Sequence, residues 1–366
     1  MVSISLCMIV KNEENPLGRC LESVYQLVDE INIIDTGSND QTKKIASKYT
    51  DRIYDFEWVH DFSKARNYAF EKATKDYILW LDADDIFLPE DQKKLLALKM
   101  HLDSSVDSVT MKYTLATDEY GNITSSLRRN RLVKRSNGFR WFGAVHEYLE
   151  VWGNIINSDV AVTHKSIHHD SDRNLKIYEK KLISGEEFSP RDLYYFANEL
   201  KDHRQFERAI GFYEKFLSTE KGWIEDNIAA CGKLADCYHE TFDKERMIKS
   251  LLRSFTYTAP RPEFCCRLAY FFIEKNDYQS AVFWYESATK TRVSQDNWGV
   301  QNQVFSTWIP HIQLCVCYDV LGDFEKANYH NELAGAYRPN DPKYLHNKKY
   351  LATKLLIKKD GETNGE

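Results

Sequence analysis

Asp82-Ala83-Asp84, extended by Asp85, directly follows the apolar run Tyr77–Leu81. Carboxylates two residues apart at the end of a strand share one side of it. Like charges held this close are costly unless a cation lies beside them. Hard oxygen ligands suit Mg2+ or Mn2+, and a divalent ion there would neutralise a departing diphosphate. An acidic loop solvated after a strand would read the same in isolation. The position after a buried strand favours a site, because open α/β sheets bind ligands outside the carboxyl ends of their strands.

Three more polar clusters occupy similar places. Lys11-Asn12-Glu13 follows the apolar run Ile4–Val10, and Asp35-Thr36-Gly37-Ser38-Asn39-Asp40 ends a second run. An acid such as Asp35 at a strand end accepts a hydrogen bond from a base N–H or a ribose hydroxyl. Phe62-Ser63-Lys64-Ala65-Arg66-Asn67 opens a helix, where backbone N–H groups and Arg66 can hold an anion. Each cluster alone reads equally well as a turn or a cap. Together they describe one crevice. No GxGxxG occurs, so a dinucleotide fingerprint is not supported.

These clusters need a sheet to position them. Ile4–Val10, Ile31–Asp35 and Tyr77–Leu81 read as strands, the first apolar throughout, as burial on both faces demands. Between and after them, Asn15 onward, Thr42–Tyr49, Phe62–Thr74 and Pro89–His101 read as helices, with Asn15 as N-cap and Pro16 at the first helical position. This alternation predicts a mostly parallel α/β sheet with helices on both faces. Ser108–Leu115, a turn at Glu119-Tyr120-Gly121-Asn122 and the basic stretch after it predict an added hairpin.

From about residue 190 the period becomes 3.6. Ala197/Ala209, Ala235/Met247, Ala269/Ala281 and Cys315/Ala327 are each 12 apart, and successive first members lie 38, 34 and 46 residues apart. Such small residues, at a period near 34, resemble the tetratricopeptide repeat, a stacked helix pair. Met247 and Cys315 mark the looser units, and an insertion falls near 290–307. The expected organisation is an α/β domain over 1–165, a linker over 166–189, helical repeats over 190–345 and a polar tail over 346–366.

Composition narrows the classes. The 366 residues carry a net charge of -6, which excludes a nucleic-acid binder driven by bulk positive charge. No apolar stretch reaches the length of a membrane span, about 18 residues. The N-terminus has no basic region or cleavage site, so it reads as a strand and not a signal peptide. The 8 cysteines form no CxxC pair and fall at apolar positions. That points away from zinc and toward a reducing, cytoplasmic setting. Aromatics make up 13% of the chain and concentrate in the repeat half, where they read as core.

The ordered motifs VKNEE, IIDTGSND, DFSKARN and WLDADD over roughly 3–165 resemble the GT-A glycosyltransferases of family 2. With the repeats behind them, the chain also resembles the sublancin-type peptide S-glycosyltransferases. The resemblance implies a Rossmann-like GT-A domain and a nucleotide-sugar donor, UDP-linked, with Mn2+ or Mg2+. It implies Asp35 as the reader of the base, Asp82 toward the ribose, Asp84 on the metal and Arg66 near the nucleotide. Many relatives carry two acids where this chain has Asp35-Thr36.

Further residues are weighed in that frame. An inverting transferase needs a base on the acceptor side. Glu147 is the candidate and His146 the alternative, both beside the aromatic stretch Phe139–Phe142. His164 ends a strand-like run and, as in GT-A relatives, is expected to complete the metal shell beside Asp84. Arg131 and its neighbours Arg128, Arg129, Lys134, Arg135 and Arg140 form a basic stretch expected to meet a diphosphate or an acidic acceptor. The acceptor is a hydroxyl or thiol, such as Ser or Cys of a peptide or protein. The repeats offer a surface for it or for homo-oligomer contacts. Glycan-directed transfer, a repeat scaffold with a degenerate transferase, and a nucleotidyltransferase are the competing readings.

Overall fold

The computed structural model describes residues 1–165, 171–291 and 298–363. Two compact units divide the chain. The first comprises Met1–Ala116 and Ser126–Glu187 with Trp298–Val300. The second comprises Thr117–Ser125 and the helical region from Phe188 onward, apart from Trp298–Val300.

The first unit opens with β1 (Ile4–Val10), α1 (Leu17–Glu22), β2 (Glu30–Asp35), α2 (Thr42–Ala46) and β3 (Ile53–Asp55). Then come α3 (Phe62–Glu71), β4 (Tyr77–Trp80), β5 (Asp85–Ile86) and α4 (Pro89–His101). It continues with β6 (Ser108–Thr117), β7 (Ile123–Lys134), β8 (Arg140–Phe142), β9 (Tyr148–Glu150), β10 (Ile155–His164) and α5 (Ser171–Ile183). The sheet order is β3-β2-β1-β4-β7-β6-β10-β5. Strands β1 to β4 pair in parallel, whereas β7 runs antiparallel to β4. β8 and β9 form a separate ribbon.

Alternation along β1 explains the two layers. Ile4, Leu6, Met8 and Val10 enter one core with Leu17, Cys20, Leu21, Ala46 and Leu95. Cys7 and Ile9 enter the other, with Ala69 and Ala73 beyond the sheet. Hydrophobic burial on both faces leaves the strand ends to carry the polar clusters. All eight cysteines are free and buried. Among the described residues no helix is long and apolar enough to cross a membrane.

One local expectation is corrected: Pro16, not Asn15, occupies the N-cap of α1, with no side-chain cap bond. The linker segment, expected to be helical at its end, contains α5, whose Tyr178 is buried and stacked on His146 at 6.4 Å between ring centroids. Residues 166–170 of that segment lie outside the described residues.

The second unit stacks four helix pairs: α6 (Pro190–Asp202) with α7 (Phe206–Ser218), α8 (Ile224–Glu240) with α9 (Lys244–Arg253), α10 (Pro262–Glu274) with α11 (Tyr278–Lys290), and α12 (Trp308–Val320) with α13 (Phe324–Tyr337). The segment expected as a tail instead continues α14 (Pro342–Thr363), which packs on α13 through the buried Leu351. Residues 364–366, and 292–297 of the insertion, lie outside the described residues. Seven of the anchor residues are buried to 2% exposure or less, and Met247 is half-buried.

Each pair turns at a residue with left-handed backbone: Arg204, Phe242, Asn276 and Gly322. These positions repeat the 38, 34 and 46 spacing of the anchors. The next residue in the last three, Asp243, Asp277 or Asp323, caps the second helix by accepting from a backbone N–H of that helix. Left-handed backbone costs a residue with a Cβ about 1–2 kcal/mol, against about 0.5–1 kcal/mol of extra chain entropy for glycine. Phe242→Gly should therefore stabilise the repeat unit by about 0.5–1 kcal/mol in urea unfolding, and Asn276→Gly by less, because Asn tolerates this conformation.

Candidate active site

The β1 and β2 strand ends are laced together before they meet any ligand. Ser38 Oγ accepts from the Asn12 N–H at 2.9 Å, and Asn12 Oδ1 accepts from the Asn39 N–H at 2.9 Å. Asn12 itself has left-handed backbone, φ 55°. Glu13 donates its N–H to Thr42 Oγ1 at 2.7 Å. Burial, with Asp84 and Asp82 nearby, pushes the Glu13 carboxyl up to about 7. Asp35 is 1% exposed, and its Oδ1 accepts from the N–H groups of Gly37 and Ser38. Its Oδ2 is buried with no hydrogen-bond partner among the described residues. Thr36, where relatives carry a second acid, donates to the Val10 carbonyl and is buried, so it ties β2 to β1.

The acidic run follows β4. Asp85 is fully buried, and its Oδ2 lies 3.0 Å from Arg131 Nη2. β5 pairs antiparallel with β10, setting Asp85 opposite His164 although the two are far apart in sequence. His164 Nδ1 stands 3.4 Å from Asp84 Oδ1, 3.5 Å from Asp85 Oδ1 and 2.8 Å from the Tyr113 hydroxyl. Asp84, Asp85 and His164 thus offer one oxygen, one oxygen and one nitrogen within 4.8 Å of one another. Asp85 Oδ1 is buried with no hydrogen-bond partner among the described residues. Two carboxylates with one imidazole fit a borderline-hard ion such as Mn2+. Asp84 and His164, the expected ligands, do come together, and the β5–β10 pairing brings Asp85 beside them.

Arg66 lies on α3, which starts at an Asp61 cap. Its Nη2 donates to Asp82 Oδ1 at 2.6 Å and its Nε to Glu147 Oε1 at 2.5 Å. The guanidinium sits against the Trp80 and Trp141 rings, 4.9 and 4.8 Å from their centroids. Burial opposes the charged Asp82 carboxylate, but Arg66 and Arg131 outweigh it and hold this carboxyl well below the usual range. Arg66 was expected to hold an anion of the ligand; instead these donors serve two carboxylates of its own chain. Asn67, one residue on, exchanges two hydrogen bonds of 2.9 Å with the Trp141 backbone and so pins the β8 ribbon. Glu147 and His146 lie in the connection between β8 and β9, and His146 has left-handed backbone, φ 50°.

Arg131 is corrected. It is 0% exposed, paired with Asp85 and 3.9 Å over the Trp80 ring, so it presents no surface to a diphosphate. Strand alternation is the reason: on β7 one face turns into the core, and a count of basic residues cannot tell which. Trp80, Trp141, Tyr113 and Asn67 complete the site; Asn67, Trp141 and Trp80 lie in stretches the sequence singled out without giving them a role, and Tyr113 was missed, because their partners lie on other elements.

Comparisons with known proteins give the frame. The family described as Glycosyl transferase family 2 matches residues 5–152, and Tetratricopeptide repeat matches 262–292. The chain is 40% identical over 150 residues to a TPR repeat-containing protein of Synechococcus elongatus, covering 41% of this chain and 36% of that protein. It is 30% identical over 234 residues to the SPbeta prophage-derived glycosyltransferase SunS of Bacillus subtilis, covering 60% and 54%. It is 26% identical over 169 residues to the lipopolysaccharide core biosynthesis glycosyltransferase LpsC of Rhizobium meliloti, covering 42% and 60%. The chain spans no more than 60% of any of these three relatives.

Two predictions follow from the ion pairs. Arg131→Leu strands a buried carboxylate and should cost about 3–5 kcal/mol in urea unfolding. The Asp84 and Asp85 carboxylates raise His164 from 6.5 to about 10. Its contribution to the stability of metal-free protein is therefore full below pH 6.5 and lost as pH rises through about 10. Thermal unfolding across that range should show a steeper decline in wild type than in His164→Asn. Residues 5–152 are thus similar to the family 2 glycosyltransferases, and the helix pairs behind them to tetratricopeptide repeats.

Proposed function

We propose that the chain is a metal-dependent, inverting glycosyltransferase that moves a sugar from a nucleotide-sugar, a UDP-hexose, to a hydroxyl or thiol of a peptide or protein. The observation that carries this reading is the convergence of Asp84, Asp85 and His164 donors at the end of a central strand, with Asp85 Oδ1 buried and without a hydrogen bond among the described residues. Asp35 Oδ2, also buried and unpartnered, suits a base N–H of the nucleotide. Asn12 and Glu13 flank that position, and Asp82 faces the ribose. The resemblance of the ordered motifs to the sublancin-type peptide transferases favours the peptide acceptor.

Asp84, Asp85 and His164 would hold Mn2+ or Mg2+. Such an ion, when bound, neutralises charge on the departing diphosphate. The chain's own residues do the rest. Arg66 fixes Glu147 by one oxygen, and Glu147 Oε2 has no hydrogen bond among the described residues, so it can take the acceptor proton as the new bond forms. His146, stacked on Tyr178, is the alternative base. A Cys acceptor demands less of either, because a free thiol ionises near about 8.5. The repeats present the surface that engages the peptide or protein or a second copy of the chain. Free cysteines fit a cytoplasmic setting.

Similarity to LpsC favours a second reading, in which the acceptor is an envelope glycan. Mass spectrometry after incubation with UDP-hexoses and Mn2+ separates the two, by sugar addition to Cys- or Ser-containing peptides or to core oligosaccharide. In the same assay, Asp84→Ala should weaken Mn2+ by more than the roughly 10–100-fold that loss of a ligand's hydrogen-bond partner costs. It should abolish donor hydrolysis and transfer, as should a chelator. Unchanged turnover in Asp84→Ala would refute the site assignment, and a wild type that turns over no donor would favour a scaffold.

A further inference from the structure

We propose that Arg129 is the residue that receives the diphosphate of the bound donor. The proposal deepens the donor reading above and depends on it. The register Tyr77↔Lys134, Ile78↔Val133, Leu79↔Leu132 between β4 and β7, continued past Trp80, sets Arg129 opposite Asp82. Arg129 shares the strand face of Arg131 but lies two residues nearer the acidic strand end. Its guanidinium is 5.6 Å from the centroid of the Tyr113 ring, whose hydroxyl touches His164 Nδ1. Its charge is felt at Asp82.

The other basic residues of this stretch are occupied. Arg128 donates to Thr110 Oγ1 and to the Ser158 carbonyl. Arg131 is paired with Asp85. Lys134 and Arg135 donate to the Ser104 and Lys75 carbonyls. Arg140 faces Glu71 at 3.7 Å. Arg129 has no hydrogen bond or ion pair among the described residues, and its Nε is buried without a partner. A half-buried guanidinium with an unsatisfied N–H lacks its anion, and its planar fork matches phosphate oxygens. Arg66 and Arg131 have given their charge to carboxylates, so Arg129 is the cation of this basic stretch left for a diphosphate among the described residues.

NMR titrations of wild type, Arg129→Gln and Arg129→Lys with UDP and with uridine, each with Mn2+, test this. Loss of one charge-assisted bond should weaken UDP by about tenfold or more in Arg129→Gln and leave uridine within about twofold. Arg129→Lys should fall between, because the charge stays and the fork is lost. UDP affinity unchanged in Arg129→Gln, or UDP and uridine weakened equally, overturns the proposal. A wild type that binds neither UDP nor another nucleoside diphosphate overturns the donor reading itself. Thermal unfolding checks that Arg129→Gln is folded; if it is not, UDP against uridine in Arg129→Lys decides by the same criteria.

Discussion

Negative charge crowded at one strand end is the constraint from which the first unit is built. Glu13, Asp82, Asp84 and Asp85 converge where β4 leaves the sheet, and their mutual repulsion must be offset. Three elements supply the counter-charge: Arg66 from α3, Arg131 from β7 and His164 from β10. None of these is near the acids in sequence, so the site exists only when the whole sheet and α3 are in register. The ion pairs with Asp82 and Asp85 neutralise part of the charge. The oxygens left over, on Asp84 and Asp85, are those that converge with the imidazole, which is why the remaining deficit fits a divalent ion.

The arrangement also separates rigid from reactive groups. Asp85 and Arg131 are fully buried and hold β5 and β7 against β4. Arg66, set against two tryptophans, holds Asp82 and Glu147, which come from different elements. Side chains so locked lose little freedom on meeting a substrate, which is what precise positioning requires. Left-handed backbone at Asn12, His60 and His146 marks the surrounding loops, where the sheet and ribbon over-determine the chain. In the second unit, left-handed backbone instead marks the turns of the helix pairs, where it is part of the repeat's own grammar.

Much of this was legible in the sequence because it is written in local periodicity. The apolar run before Asp82, the helix Pro89–His101 and the 12-residue anchor pairs all depend on neighbours within one element. Even the 46-residue last interval proved regular, since Gly322 keeps the same offset from Cys315 that Arg204 keeps from Ala197. Pairings across elements were not legible. Arg66 and Glu147 lie 81 residues apart, and nothing in either segment names the other. Arg131 and Arg129 differ by two residues on one strand face, yet one is buried on Asp85 and the other keeps an unpartnered Nε. Only the β4–β7 register and the depth of each position distinguish them. α5 fell in a segment read as a linker with a helical end; its charged face gave no sign of the buried Tyr178 that anchors it.

The most direct test of the account is the pulsed electron paramagnetic resonance spectrum of protein loaded with one equivalent of Mn2+. The account predicts modulation from a directly bound imidazole nitrogen, absent in His164→Ala, and a phosphorus coupling that appears when UDP is added. A spectrum of fully hydrated Mn2+, or a nitrogen signal that survives in His164→Ala, would contradict it.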